Sequence, residues 1–242
     1  MTTAIIVAAG KSERMGTGTD KAFLSLGNKP VVAWSLLAFE RCTEIDRIVL
    51  VVRKEQLVAS KAVVQMFGIS KIDKIVAGGA KRQESVQAGL AACDIDTRYV
   101  VIHDGARPCI TPDVIAEVVK AVKRVPAVTV GRRMTDTVKR VEKGTNVAGT
   151  EDREKLWTVQ TPQAFQLKTL RAAYQKLGKA EVTDDCQAVE LAGEGTVSFS
   201  VGRATGNGAQ GGASGTIAVY SLRPDGSGGL KAEKVGDSEN PY

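Results

Sequence analysis

The sequence predicts a three-layer α/β sandwich on a mostly parallel sheet. Short β-branched apolar runs without polar alternation recur at residues 5–9, 47–52, 74–77, 99–104 and 127–130, as expected of strands covered on both faces. Stretches of helical periodicity lie between them, and that alternation is what βαβ units require. At 242 residues and 43% hydrophobic, the chain is long enough to bury a substantial core as one domain.

The first strand, "IIVAA", runs directly into a loop holding Gly10, Gly16 and Gly18, with Lys11, Arg14 and Lys21 set against Glu13 and Asp20. Glycine lets backbone approach an anion closely and the cations outnumber the acids, so the loop reads as a polyphosphate cradle beyond the strand's carboxyl end. It has neither G-x-x-x-x-G-K-[ST] nor G-x-G-x-x-G spacing, and a solvated surface loop is the plain alternative. "PVVAWSLLAFERC" (30–42) places Pro30 at a helix start. "GGAKRQESVQAGL" (78–90) leaves a strand through a double glycine and enters a helix bearing Arg82 and Ser85, which suits a base or phosphate at a helix N-terminus.

"HDGARPC" (103–109) follows the strand at 99–104 and puts Asp104 and Arg107 at the same sheet edge as the first loop. The alternative is an acid and a base that merely pair. "TPDVIAEVVKAVKRV" (111–125) offers Thr111 as N-cap, Pro112 in the first turn and an apolar stripe of Val114, Ile115, Val118, Val119 and Val122.

Between 132 and 161 the pattern changes to short polar strands around "EKGTN", with no helix long enough to cover a sheet face. This reads as a projecting β-arm, poorly stable alone and suited to a partner subunit. Helices return at "QLKTLRAAYQKLG" and "TDDCQAVELAG", where Thr183 is the expected N-cap, Asp184 and Asp185 fit the first turn and Gly193 stops the helix. After about Gly202 the chain turns linker-like in "GRATGNGAQGGASG". "TIAVYSL" then reads as a strand, and "LKAEKV" can pair back across "RPDGSGG" as a hairpin.

Composition narrows the chemistry. The net charge of +6 would suit nucleic acid, but the cations are scattered and aromatics make up only 5%, so base-stacking platforms are scarce. Small phosphorylated ligands account for the excess equally well. Cys42, Cys93, Cys109 and Cys186 form no C-x-x-C pair, which argues against a zinc site and a disulfide framework and for a reducing compartment. His103 is the only histidine, so Ser-His-Asp and multi-histidine metal mechanisms are excluded. There is no charged leader with an apolar signal core, and no apolar run approaches about 20 residues; a soluble, cytoplasmic protein is expected, with no membrane partner.

Taken in order, "AAGKSERMG" with Lys21, "GGAKRQESVQAGL", "HDGARPC", "TDTVKR", "EDREKLWTVQTPQAF" and "VTDDCQAVE" resemble the 2-C-methyl-D-erythritol 4-phosphate cytidylyltransferase family of the non-mevalonate isoprenoid pathway. The resemblance implies a Rossmann-like nucleotidyltransferase domain over 1–202, including the β-arm at 132–161, and leaves 203–242 as an atypical tail. It implies that CTP and methylerythritol phosphate give CDP-methylerythritol and pyrophosphate, with Mg²⁺, in a homodimer formed through the arm. By matching motif, Arg14 and Lys21 would hold the triphosphate and stabilise pentacoordinate phosphorus. The backbone at Ala8, Ala9 and Gly10, with Gly79 and Ser85, would bind cytidine. Asp104 would lie near ribose and metal. Arg107, Arg153 and Thr161 would face the acceptor, and Asp136 and Thr137 would reach it in the facing subunit.

The residue inventory agrees with such chemistry. A phosphate monoester has its second pKa near 6 and is mostly ionised at neutral pH, so no general base is needed. What the reaction needs is positive charge in fixed geometry around crowded anions. Mg²⁺ held mainly by triphosphate oxygens needs few protein ligands. One departure stands out. Family members usually continue into a strand like "NIKVTTPEDL", whose lysine contacts the substrate phosphate, yet here no lysine occurs between Lys179 and Lys231. A catalytically impaired CTP-binding dimer is therefore one alternative; a pentitol-5-phosphate cytidylyltransferase, related in motifs and different in acceptor, is the other.

Overall fold

The computed structural model describes residues 1–10, 20–178, 180–200, 217–224 and 230–238. Arg14, most of the first glycine loop and the glycine-rich stretch 203–216 lie outside the described residues.

The central strands are buried on both faces because alternate side chains feed two separate cores. In β1 (Thr2–Ala8), Ala4, Ile6 and Ala8 join one core while Ile5 and Val7 join the other. β4 (Arg47–Val52) divides the same way, with Ile48, Leu50 and Val52 on one face and Val49 and Val51 on the other. The first core is closed by α1 (Val31–Arg41), α2 (Leu57–Met66) and α4 (Pro112–Val122). The second is closed by α3 (Arg82–Ala92), α5 (Leu167–Leu177) and α6 (Asp185–Ala192). α4 forms as its sequence predicts: the Thr111 hydroxyl caps Val114 N–H, Pro112 opens the helix, and Ile115, Val118, Val119 and Val122 are fully buried. Each such side chain contributes about 1.5–3 kcal/mol.

The remaining main-sheet strands are β5 (Ile72–Ala77), β6 (Tyr99–Asp104), β7 (Ala127–Arg133), β10 (Trp157–Gln166), β11 (Val197–Ser200), β12 (Ile217–Pro224) and β13 (Leu230–Ser238). Among the described residues the sheet has nine strands, in the order β13-β12-β11-β7-β10-β6-β1-β4-β5. β5, β4, β1 and β6 are mutually parallel, β7 and β11 are parallel to each other, and β10 inserts antiparallel between β6 and β7. The chain moves outward from β1 to β4 and β5, then returns to the other side of β1 as β6. That reversal opens a crevice at the carboxyl ends of β1 and β6, where ligands of such sheets bind.

The small hairpin β2 (Ser25–Leu26) and β3 (Lys29–Pro30) leads into α1, with Pro30 as N-cap. β8 (Lys139–Lys143) and β9 (Asn146–Thr150) make the two-stranded arm, and every residue of β8 is exposed. Residues 157–160 pair with 130–133 in the main sheet, so the separate hairpin is shorter than the polar stretch suggests. In the tail the predicted hairpin forms: β12 pairs antiparallel with both β11 and β13.

Two local expectations are revised. Asp184, not Thr183, is the N-cap of α6, its carboxylate accepting from Gln187 N–H at 2.8 Å. Thr183 instead donates through its amide and hydroxyl to the Gln187 side-chain oxygen. α2 was not anticipated, and only Ser60 and Val63 of it are buried. Gly193 ends α6 in the left-handed conformation as expected.

Candidate active site

A cavity of about 380 Å³ opens at the carboxyl ends of β1 and β6. It is lined by Val7–Gly10, Asp20–Ala22, Gly79–Arg82, Ser85, Asp104, Ala106 and Arg107. The predicted residues Ala8, Ala9, Gly10, Lys21, Gly79, Ser85, Asp104 and Arg107 thus come together in one place, although they span a hundred positions of sequence.

Each is held by an identifiable device. Lys21 starts a 3₁₀ turn, Lys21–Phe23, capped by the Asp20 carboxylate on Ala22 N–H. The other Asp20 oxygen accepts from Arg53 Nε at 3.2 Å, so the turn is tied to the end of β4. At the neighbouring loop, Glu84 accepts from the N–H groups of Ala80 and Lys81 and fixes the entry to α3. A side chain at Gly78 would place its Cβ 2.6 Å from both Ala9 Cβ and Ser85 Oγ, so the two loops approach as closely as only glycine permits.

Asp104 stands between two arginines. Its Oδ1 accepts from Arg82 Nε at 3.1 Å and its Oδ2 from Arg107 Nε at 3.0 Å. Burial works to raise this carboxyl, but the two guanidiniums hold it below its usual range. Arg82 also donates through Nη1 to Asp185 at 2.8 Å, on the first turn of α6. Asp185 is fully buried, accepts from the Tyr174 hydroxyl of α5, and has its own N–H bound to Gln163 Oε1. Burial lifts its carboxyl above the usual range, against the pull of Arg82. Burial opposes the Arg82 charge, yet Asp185 and Asp104 keep the guanidinium firmly cationic. Arg82 was noticed in sequence only as a residue on this helix; Asp185 and Gln163 carried no signal of a role at the site.

Thr161 lies where the β10 register shifts, between Gln160 and Gln163. Its Oγ1 accepts from Asp104 N–H at 3.2 Å and stands 3.0 Å from His103 Nδ1. His103 Nε2 is 3.1 Å from the Arg107 carbonyl, which can only accept, so the proton sits on Nε2 and Nδ1 accepts from Thr161. A second cavity of about 450 Å³ adjoins the first through Arg107, with Arg132, Gln160, Thr161 and Cys109 among its lining. Asp136, Thr137 and Arg153 are exposed and line neither cavity; Arg153 donates to the Thr135 carbonyl at the base of the arm.

Among the described residues no cluster of three or more His, Cys, Asp or Glu could hold a metal unaided. Asp104 is a fit for one bound together with a polyphosphate. Its carboxylate lines the cavity, and two accepted N–H bonds leave lone pairs in hand. No helix among the described residues is long and apolar enough to cross a membrane.

A mixed, mostly parallel α/β sheet with a cationic, glycine-edged crevice at its topological switch point fits the class of nucleotide-handling transferases. Comparison with known proteins fixes the family. The model for 2-C-methyl-D-erythritol 4-phosphate cytidylyltransferase matches residues 2–206, and the chain belongs to that family. The cytidylyltransferase of Alkaliphilus metalliredigens is 40% identical over 194 residues, covering 79% of this chain and 80% of the relative. That of Dehalococcoides mccartyi is 44% identical over 187 residues, covering 77% and 81%. The crystal structure of 4-diphosphocytidyl-2C-methyl-D-erythritol synthase from Anaerococcus prevotii superposes with a TM-score of 0.74 at 30% identity, covering 84% of this chain and 90% of the other. The Thermus thermophilus cytidylyltransferase gives 0.67 at 26% identity, covering 86% and 92%.

Proposed function

We propose that the crevice between β1 and β6 transfers CMP from CTP to 2-C-methyl-D-erythritol 4-phosphate, releasing pyrophosphate. The observation that carries this reading is the convergence of Lys21, Arg82, Asp104 and Arg107 on one cavity, in a chain of this family. The backbone of Ala8, Ala9 and Gly10, with Gly79 and Ser85, receives the cytidine. Lys21 faces the triphosphate, and the motif shared with the family assigns Arg14 to the same ligand. The second cavity, with Arg107 and Thr161 on its wall, receives the acceptor phosphate.

An oxygen of the acceptor phosphate attacks the α-phosphorus of CTP. The new P–O bond forms as the bond to the bridging oxygen breaks, and pyrophosphate departs. No residue has to remove a proton, because the monoester is already ionised near neutral pH. That suits a site whose only histidine is buried and neutral. The work falls to fixed cations that oppose charge gathering on the pentacoordinate phosphorus and the leaving group. Asp104 would hold a divalent cation such as Mg²⁺ alongside the triphosphate; when bound, that ion supplies further charge neutralisation.

The arm supplies the second subunit. Val141 and Val147 face each other across β8 and β9, and they are 48% and 60% exposed. Covering them against a second copy forms a homodimer and brings Asp136, Thr137 and Arg153 to the partner's acceptor cavity. The tail hairpin, β12 and β13, closes the sheet edge beyond β11 in place of the family's last strand.

A comparison of two acceptors tests the substrate. Turnover with methylerythritol phosphate should exceed that with a pentitol 5-phosphate at least tenfold in kcat/KM, a difference of about 1.4 kcal/mol. Preference for the pentitol phosphate would reassign the acceptor. CTP binding without turnover of either would mark an impaired binding module.

A further inference from the structure

The cytidine and phosphate contacts proposed above leave one feature of the fold unused: a buried charged chain that runs from the back of the molecule to the crevice. Arg82 reaches Asp104 at the cavity with Nε and Asp185 with Nη1, and Asp185 has no exposed surface. Behind Asp185 stand the Tyr174 hydroxyl of α5 and the Gln163 side chain of β10. Gln163 also donates to Asp184 at 2.8 Å and so clamps the start of α6 to the sheet. A carboxylate buried this deeply costs several kcal/mol in desolvation, and a better packed apolar pair would stabilise the fold at least as well. Its position directly behind a residue of the crevice gives it a use.

We propose that Arg82 is a positioning residue for nucleotide binding: anchored from behind by Asp185 and Tyr174, it holds the Asp104 carboxylate at the orientation the bound nucleotide requires. The α5–α6 layer is then part of the nucleotide-binding apparatus. Geometry supports a shared rather than an exclusive contact. Arg82 has a rigid fork of five N–H donors that can hold two carboxylates at a fixed separation, which the compact ammonium of a flexible lysine does not reproduce. Loss of the anchor leaves Arg82 to follow Asp104, and both then shift with Arg107, which grips the other Asp104 oxygen.

The inference rests on the crevice being a CTP site, which wild-type calorimetry with CTP and Mg²⁺ tests separately. With wild-type binding in hand, Asp185→Asn and Tyr174→Phe are near-isosteric probes lying outside the cavity lining. Each should weaken CTP binding and raise the KM for CTP, with Asp185→Asn giving roughly tenfold, as for loss of a hydrogen bond to a charged group. The KM for the acceptor should change less than twofold. Arg82→Lys should weaken CTP binding at least as much, and Asp185→Asn added to it should cost nothing further, because both act through one contact. If Asp185→Asn does not fold, Tyr174→Phe decides by the same readouts. Unchanged CTP affinity in a folded anchor variant, or full additivity of the two substitutions, would overturn the proposal.

Discussion

The hydroxyl of Thr161 joins two strands at the crevice: it stands 3.0 Å from His103 Nδ1 and accepts the Asp104 N–H at 3.2 Å. β6 and β10 run antiparallel, and this contact fixes the end of β6 where the carboxylate of Asp104 emerges.

Thr161→Val keeps the shape and removes both bonds. It leaves a buried imidazole nitrogen and a backbone N–H unpaired, so unfolding by denaturant should show a loss of about 1–3 kcal/mol. Thr161→Ser should restore most of it. Equal stability of the valine and serine variants would show that the hydroxyl is not the joint.

His103 should stay neutral well below the usual range. Burial is the main cause, and it pushes the ring's pKa down from 6.5 to about 4. The unfolded chain takes up a proton near pH 6.5 that the folded chain refuses, so stability is fully present above that pH and is lost as pH falls toward 4. Between pH 7.5 and 5 this one ring should cost roughly 2 kcal/mol. As the only histidine, it gives a single imidazole Cε1–H resonance in a proton–carbon NMR titration. That resonance should not shift between pH 8 and 5.5, whereas a midpoint near 6.5 would refute the burial argument.

Lys21→Ala should lower turnover by roughly 100 to 1,000-fold, the usual effect of removing one donor that opposes transition-state charge. Stability should change by less than about 0.5 kcal/mol, since the side chain is exposed. A thermal scan beside single-turnover kinetics separates the two effects. Near-normal turnover would remove Lys21 from the chemistry.

The proposed homodimer, with the arm of one subunit completing the site of the other, makes mixing informative. Lys21→Ala and Arg153→Ala homodimers should each be weak, yet after subunit exchange the mixture should regain activity, because one heterodimer site has both residues intact. Exchange verified by mass labelling with no gain in rate would mean that each site is built from one chain.

Much of this was readable beforehand where local rules coincide with the tertiary outcome. β1, β4 and β6 were legible because strands buried on both faces need continuous apolar runs, and Asp104 and Arg107 were legible because the first ends such a run and the second follows it closely. The link from Arg82 to Asp185 was not, because it joins residues 103 positions apart and no periodicity encodes it. Thr183 and Asp184 are both good N-caps; Gln163, buried on β10, holds the second in place, and a buried glutamine has no signature in sequence. The start of β10 read as part of the arm because it is polar and exposed, yet Trp157 stacks on Phe199 with ring centroids 4.9 Å apart and belongs to the sheet.

The central claim is that this crevice moves a cytidylyl group. Phosphorus NMR of a reaction holding CTP, methylerythritol phosphate and Mg²⁺ tests it most directly. The account predicts that the acceptor's monoester signal gives way to a pair of coupled diphosphate resonances while free pyrophosphate appears in equal amount, with ATP, GTP and UTP giving far less. Release of orthophosphate without a new diphosphate ester, or equal product from all four nucleotides, would contradict it.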